Sequence, residues 1–182
     1  MTLQSAAELD DHYVRPDPWD YQKNICDQRR KSELLALLPD QLWRRVLDIG
    51  CGDGYITFDL PGISVTGVDI SSAAIGWAEK RRAALDAEKA NRFQFEARSI
   101  LNLDGASEPF DLIIITGVLY QQYVGRAVSV IRERVDSLLS PGGCLVSCHI
   151  DDWRPPRFAY TLLDTSIYPY REYMHRLEVY RK

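Results

Sequence analysis

The stretch Val46-Leu47-Asp48-Ile49-Gly50-Cys51-Gly52-Asp53-Gly54 decides the fold. An apolar run with one embedded acid leads into three glycines at alternate positions. It reads as a buried strand entering a tight bend and then a helix. Glycine accepts left-handed backbone and lets the main chain approach a ligand closely, which a Cβ would resist. A helix start after the bend would add unpaired N–H groups. The dinucleotide fingerprint needs G-x-G-x-x-G, with its third glycine packing helix on strand beside a pyrophosphate. Here the spacing is G-x-G-x-G, one residue tighter, and Asp48 precedes it. That acid would repel a pyrophosphate but suits the ammonium group of an amino acid. The spacing therefore disfavours an NAD-dependent oxidoreductase.

Downstream, Val65-Thr66-Gly67-Val68-Asp69 ends a second strand on an aspartate. About 20 residues after the first glycine is where a βαβ unit brings a carboxylate beside the bend to accept both ribose hydroxyls. Alone, an aspartate before Ser71-Ser72 could simply cap a helix. Combined with the glycine bend, the ligand-holding role is favoured.

Further strands are expected at Phe93 to Ala97, Asp111 to Thr116 and Gly143 to His149, and the first spans Arg45 to Ile49. Leu112-Ile113-Ile114-Ile115 is apolar without alternation, as in a strand buried on both faces of a parallel sheet. Helices are expected over Asp27 to Leu38, from Ser71-Ser72 to about Ala90, and over Arg126 to Leu139. Strand and helix alternate regularly, so the fold class is α/β, a parallel sheet covered on both faces. Met174 to Lys182 alternates as a strand, antiparallel to the rest, with a shorter partner around Thr165 to Tyr168. Residues 1–24, with prolines at 16 and 18, read as an irregular N-terminal arm or lid. Residues 25–182 read as one domain.

Composition narrows the function classes. The chain has 182 residues and a net charge of −4, with no basic stripe of the kind that neutralises phosphates. Its longest basic cluster, Arg29-Arg30-Lys31, fits a solvated helix face. No nucleic-acid partner is expected. Met1 to Asp10 lacks a basic region followed by an apolar run, and no apolar stretch approaches the roughly 20 residues of a membrane span. The expectation is a cytoplasmic protein with no membrane contact. Cys26, Cys51, Cys144 and Cys148 lack paired zinc spacings and are expected to be free thiols. The three histidines give no metal pattern, so no metal is expected.

The runs LDIGCGDG, VTGVDIS, FDLIIITGVLYQ and LLSPGGCLV, in this order over roughly residues 44–150, resemble the successive motifs of class I S-adenosylmethionine (SAM)-dependent methyltransferases. The resemblance implies a Rossmann-like sheet of seven strands, mostly parallel with the last antiparallel. It also implies SAM as donor cosubstrate, S-adenosylhomocysteine (SAH) as product, and a small-molecule methyl acceptor. Asp48, Gly50, Cys51, Gly52 and Gly54 would surround the methionine part, and Asp69 would hold the ribose. Ile70 would cover the adenine, with Ser99 and Ile100 beside it; many relatives carry an acid where Ser99 stands. Thr116 and Leu119 would line the site after the fourth strand. The N-terminal half, with Asp17-Pro18-Trp19, Asp27-Gln28-Arg29-Arg30 and Leu34 to Pro39, resembles the nodulation N-methyltransferase family, which methylates amino sugars of chito-oligosaccharides. Cys26 replaces an aromatic of that pattern. Arg30 would hold the carboxylate of SAM through a charge-assisted hydrogen bond.

Methyl transfer from a sulfonium needs alignment above all, and a base only for a protonated acceptor. His149, at the end of the fifth strand, is the candidate base, set against an ordinary hydrogen-bonded strand-end histidine. Tyr120 is a second candidate for contact with donor or acceptor. Tyr13, Trp19 and Tyr21 are candidate lid aromatics, the first two expected to touch the substrate. Trp153 heads an aromatic segment to Tyr173 that would form a substrate wall or the core under a terminal hairpin. The expected function is transfer of a methyl group to an amine or hydroxyl of a small molecule, with a sugar among the candidates. The alternatives are a non-catalytic SAM- or SAH-binding module and a nucleic-acid methyltransferase. The latter is disfavoured because Thr116-Gly117-Val118-Leu119 replaces the usual N/D-P-P-Y-like run.

Overall fold

The computed structural model describes residues 4–103 and 108–182. Among these residues, seven strands form one sheet: β1 (Arg45–Ile49), β2 (Ser64–Asp69), β3 (Phe93–Ala97), β4 (Phe110–Thr116), β5 (Leu139–Ile150), β6 (Thr161–Tyr170) and β7 (Tyr173–Arg181). Their spatial order is β3-β2-β1-β4-β5-β7-β6. Strands β1 to β5 pair in parallel, and β7 inserts antiparallel between β5 and β6. This is the class I methyltransferase sheet, with six strands running one way and the last reversed. Strand order reverses between β1 and β4, the place where open α/β sheets open a crevice at their C-terminal ends.

Among the described residues, six helices accompany the sheet: α1 (Ala6–His12), α2 (Ile25–Ala36), α3 (Ser72–Ala83), α4 (Ala87–Ala90), α5 (Gln121–Val124) and α6 (Val128–Leu138). The unbroken apolar run of β4 divides between two cores. Leu112 and Ile114 pack with Leu34 of α2 and Ala78 of α3 on one face. Ile113 and Ile115 pack with Ile131, Val135 and Leu138 of α6 on the other. All four β4 residues are fully buried, and each such side chain contributes about 1.5–3 kcal/mol of transfer free energy.

Several expected boundaries move. The arm is not wholly irregular: Ser5 and Glu8 form a capping box that starts α1. The arm's first three residues lie outside the described residues. The helix expected to run to Ala90 breaks after Ala83, because Asp86 caps a new turn by accepting from Lys89 N–H. No α-helix follows the glycine bend. Only a 3₁₀ turn at Thr57–Asp59 forms, since Pro61 and Gly62, the latter with φ +144°, leave no room to continue. Strand β5 starts at Leu139, four residues before the expected Gly143, because Leu139 still pairs with Phe110. Strand β6 is ten residues long, beyond the expected 165–168, because it pairs with β7 along its length.

Candidate functional site

The glycine bend is anchored from β2. Gly50 and Cys51 both donate their N–H groups to Val68 O, at 2.8 and 3.1 Å. Gly50, Gly52 and Gly54 have φ of +76°, +56° and +84°, which L side chains resist. Close approach adds a second requirement. A Cβ on Gly50 would meet Val118 Cγ2 at 2.1 Å, and one on Gly52 would meet the Tyr13 hydroxyl at 2.5 Å. Asp69 closes the bend: its Oδ2 accepts from Gly52 N–H at 2.9 Å and its Oδ1 from Ser71 N–H at 2.9 Å. Ser71, rather than Asp69, caps α3, its Oγ accepting from Ala74 N–H. Burial raises the Asp69 carboxyl above the usual range.

Asp48 sits beneath the bend, 1% exposed. Thr57 Oγ1 donates to its Oδ2 at 2.6 Å, while Oδ1 has no partner. Burial pushes its pKa up to about 6, with the Thr57 hydrogen bond opposing and the Asp69 charge adding. An unpartnered buried carboxylate oxygen costs free energy until a donor reaches it. Its chemistry suits an ammonium group, and the main chain of Gly50 and Gly52 borders the same cavity. The amino-acid end of SAM fits these residues.

The arm docks over this bend. Asp10 accepts from Ser71 Oγ, Ser72 Oγ and Ala73 N–H, at 2.6, 3.1 and 3.0 Å. Trp77 Nε1 donates to Tyr13 O, and Asp17 N–H donates to Asp53 Oδ2. Trp19 stacks on Tyr21 with ring centroids 5.6 Å apart, and meets Tyr13 edge-on at 5.2 Å.

Opposite the bend lies a cationic corner. Asp27, fully buried, faces two arginines: Arg30 Nη2 at 3.2 Å and Arg171 Nη2 at 3.0 Å. Tyr170 donates its hydroxyl to Asp27 Oδ1 at 2.8 Å. Two guanidiniums share one carboxylate, so one positive charge is uncompensated within the group. Arg30 Nε is buried without a partner, and the guanidinium lies 4.9 Å from the Tyr21 ring centre. Beyond this corner, Trp153 meets Tyr120 edge-on at 4.7 Å and Tyr173 at 5.4 Å, forming an aromatic wall.

These parts enclose a cavity of about 390 Å³. Among the SAM-binding candidates, Arg30, Asp48, Gly50, Cys51, Gly52 and Asp69 line it, as do Ile70, Ser99, Ile100 and Thr116. So do Tyr120 and the aromatics Tyr13, Trp19 and Trp153. Gly54 does not line it: its φ serves the bend, and a Cβ there would strike Phe58. Leu119 also lies outside, 2% exposed in the core beneath α6. Ser99 spends its hydroxyl on the backbone, accepting from Leu101 N–H to cap a 3₁₀ turn.

His149 is likewise not in the cavity wall. It is 1% exposed, and its Nε2 faces the N–H groups of Val118 and Leu119 at 3.3 and 3.1 Å. Its Nδ1 lies 3.1 Å from Ser147 Oγ. A nitrogen accepting amide N–H groups is unprotonated, so Nδ1 carries the hydrogen and no lone pair is left for a substrate. Burial first, then His175, Arg176 and Arg30, push its basicity down to about 3. This geometry makes His149 an anchor of the loop after β4. Tyr120 accepts the Ile150 N–H on its hydroxyl oxygen at 2.9 Å, and burial pushes its pKa further above neutrality. Its hydroxyl hydrogen remains available as a donor.

Among the lining residues that the sequence left unmarked are Val118, Arg171 and His175. Val118 follows a recognised strand end and was within reach of that signal. Arg171 and His175 belong to a terminal hairpin whose place beside α2 no local pattern announces. The four cysteines are free. Among the described residues no cluster of three metal-ligating side chains occurs, and no helix is long and apolar enough to cross a membrane.

The chain belongs to the methyltransferase-domain family, whose profile matches residues 44–172. Among curated proteins it is 28% identical to nodulation protein S of Sinorhizobium fredii over 133 residues, covering 71% of this chain and 59% of that protein. It is 32% identical to a ubiquinone biosynthesis O-methyltransferase of Albidiferax ferrireducens over 102 residues, covering 55% and 38%. The chain spans between 38% and 59% of the length of the curated relatives it matches. It shares the fold of the crystal structure of N-methyltransferase NodS from Bradyrhizobium japonicum WM9 in complex with SAH. There the TM-score is 0.78 at 24% identity, over 97% of both chains.

Proposed function

We propose that this protein transfers a methyl group from SAM to an amine or hydroxyl of a small molecule, with sugars among the candidate acceptors. One observation carries the reading. The unpartnered Asp48 oxygen, the Asp69-closed glycine bend and the uncompensated Arg30 corner all border one cavity at the C-terminal ends of β1 and β4. They suit, in turn, the ammonium, the ribose and the carboxylate of one donor molecule. The family match and the SAH-bound NodS fold support the same donor.

When bound, SAM would supply a methyl group already activated by a positive sulfur. The protein's part is to bind, orient and exclude water. Asp48 would accept from the amino group, Asp69 would offer its remaining lone pairs to ribose hydroxyls, and Arg30 would face the carboxylate. Ile70 and Ile100 give an apolar setting for the adenine. The docked part of the arm, residues 4–24, serves as the lid, with Tyr13 and Trp19 roofing the cavity. Alignment of two bound reactants can remove roughly 7–11 kcal/mol of barrier. The aromatic wall of Tyr120, Trp153 and Tyr173 is the proposed resting place of the acceptor.

Two measurements test this. Calorimetry on folded protein should detect SAH binding. Incubation with methyl-labelled SAM and the small-molecule fraction of a cell extract should yield a compound gaining one methyl group. Binding without transfer would leave a SAM- or SAH-binding module in its place, and no binding of either nucleoside would end the proposal.

A further inference from the structure

The cavity wall holds a histidine that the proposed chemistry has not used. His175, on β7, is 2% exposed and borders the cavity. Its ring lies flat against Tyr170, with centroids 3.7 Å apart and planes 10° apart, and Tyr168 meets it edge-on at 5.8 Å. Nδ1 lies 3.7 Å from Cys148 Sγ, the only hydrogen-bond contact of the ring among the described residues. Burial holds the Cys148 thiol protonated. In the tautomer that donates Nδ1–H to this sulfur, a weak acceptor, the Nε2 lone pair is left to whatever enters the cavity. The contrast with His149 is direct: there Nε2 faces two amides, and here it faces none.

We propose that His175 receives the methyl acceptor, its Nε2 accepting a hydrogen bond from the acceptor's N–H or O–H and so aiming the nucleophilic lone pair. The inference rests on the methyltransferase reading and deepens it. A lone pair at this point favours acceptors that bring a hydrogen, amines and hydroxyls, and repels a carboxylate. The surroundings keep the ring an acceptor. Arg30 from α2 and Arg171 from the β6–β7 turn press cations toward it, with His149 and Cys148 on β5 and Tyr168 and Tyr170 on β6 as its other titratable neighbours. Burial, then Arg30 and Arg171, push its basicity down to about 3, so it stays neutral through the physiological range. The turn itself supports the placement. Tyr170 pairs with Tyr173 across a two-residue loop, and Arg171 holds φ +53°. A non-glycine residue there is strained, and its side chain is tied to Asp27.

The test uses the full chain, methyl-labelled SAM and the small-molecule fraction of a cell extract. His175→Phe keeps a flat ring against Tyr170 and removes the lone pair. It should bind SAH within threefold of wild type by calorimetry and lose at least 30-fold in label transfer. His175→Gln, which can set an amide oxygen near the Nε2 position, should recover at least fivefold over the phenylalanine variant. Diethyl pyrocarbonate acylates free imidazole lone pairs, so on wild-type protein it should modify His175 and spare His149; this readout survives even if the variants fail to fold. Transfer by His175→Phe within threefold of wild type, a glutamine variant no better than phenylalanine, a methyl ester as the sole labelled product, or acylation of His149 instead of His175 overturns the proposal. No labelled product with wild-type protein defeats the methyltransferase reading itself, and this inference with it.

Discussion

Asp69 Oδ2 accepts the Gly52 N–H at 2.9 Å across 17 residues of sequence, so one carboxylate both sets the bend and faces the cavity. Asp69→Ala removes the acceptor for Gly52 and Ser71 together with the proposed ribose contact. Hydrogen bonds to charged groups contribute about 1.5–3 kcal/mol. The SAH dissociation constant should therefore rise at least tenfold by calorimetry. Unchanged affinity would remove Asp69 from the nucleoside site.

Gly52 and Tyr13 form a second testable pair. Gly52→Ala places a Cβ at φ +56° and 2.5 Å from the Tyr13 hydroxyl oxygen. The backbone conformation alone costs about 1–2 kcal/mol. The clash adds to it, and the arm should lift, shown by faster protease cleavage within residues 13–24. Combining it with Tyr13→Phe removes the clashing oxygen but not the backbone strain. The double variant should be more stable to urea than Gly52→Ala alone, and simple additivity would show that the arm does not press on the bend.

Asp48 links acidity to both stability and binding. Its folded value, about 6, lies above the ordinary 3.8, so the folded chain holds this proton more tightly than the unfolded chain. The stabilisation it brings is present at low pH and lost as pH rises from 4 through 6. At ~1.4 kcal/mol per pH unit, about 3 kcal/mol is lost by pH 7. Asp48→Asn should raise the melting temperature of the unliganded protein at pH 7 and lower it little at pH 4.5. The same variant should weaken SAH at pH 7.5. Wild-type affinity should itself fall as pH drops below about 6. A variant that melts lower at pH 7 would contradict the buried-charge argument.

His149 carries the opposite sign. Burial lowers its folded value to about 3 from 6.5, so its stabilising contribution is full above pH 6.5 and declines as pH falls toward 3. His175 behaves alike, and together the two outweigh Asp48 between pH 6 and 4, giving a net loss on acidification. His149→Ala should destabilise by about 2–4 kcal/mol through a cavity and two orphaned amides. It should also flatten the fall in stability between pH 6.5 and 4.5, measured by urea melts. A full-strength slope in the variant would mean that His149 is not the titrating group.

What was legible in the sequence was local and repetitive. The apolar run of β4, the glycines after β1 and the aspartate ending β2 each state their environment within a few residues. Period, burial and backbone freedom are short-range properties, and the doubly wound half of the sheet follows from them. The missing helix after Gly54 was misread because glycines announce a bend but not the Pro61-Gly62 stop beyond it. His149 drew notice as a strand-end histidine, yet its partners are amides about 30 residues away. His175 and Arg171 went unmarked because their environment is made by Arg30, Asp27 and Cys148, brought near only when β7 slots between β5 and β6.

That insertion sets an order of assembly. The bend, Asp69 and the pairing of β4 with β1 need only the first two-thirds of the chain, and β5 then adds to the other edge of β4. The wall bearing His175 has no place to form until Arg181 has been synthesised and the final strand has found β5 on one side and β6 on the other. The nucleoside-gripping half of the molecule is thus available during synthesis well before the half that meets the second reactant. A chain interrupted short of Tyr173 would retain every element of the glycine bend and none of the wall formed by β7.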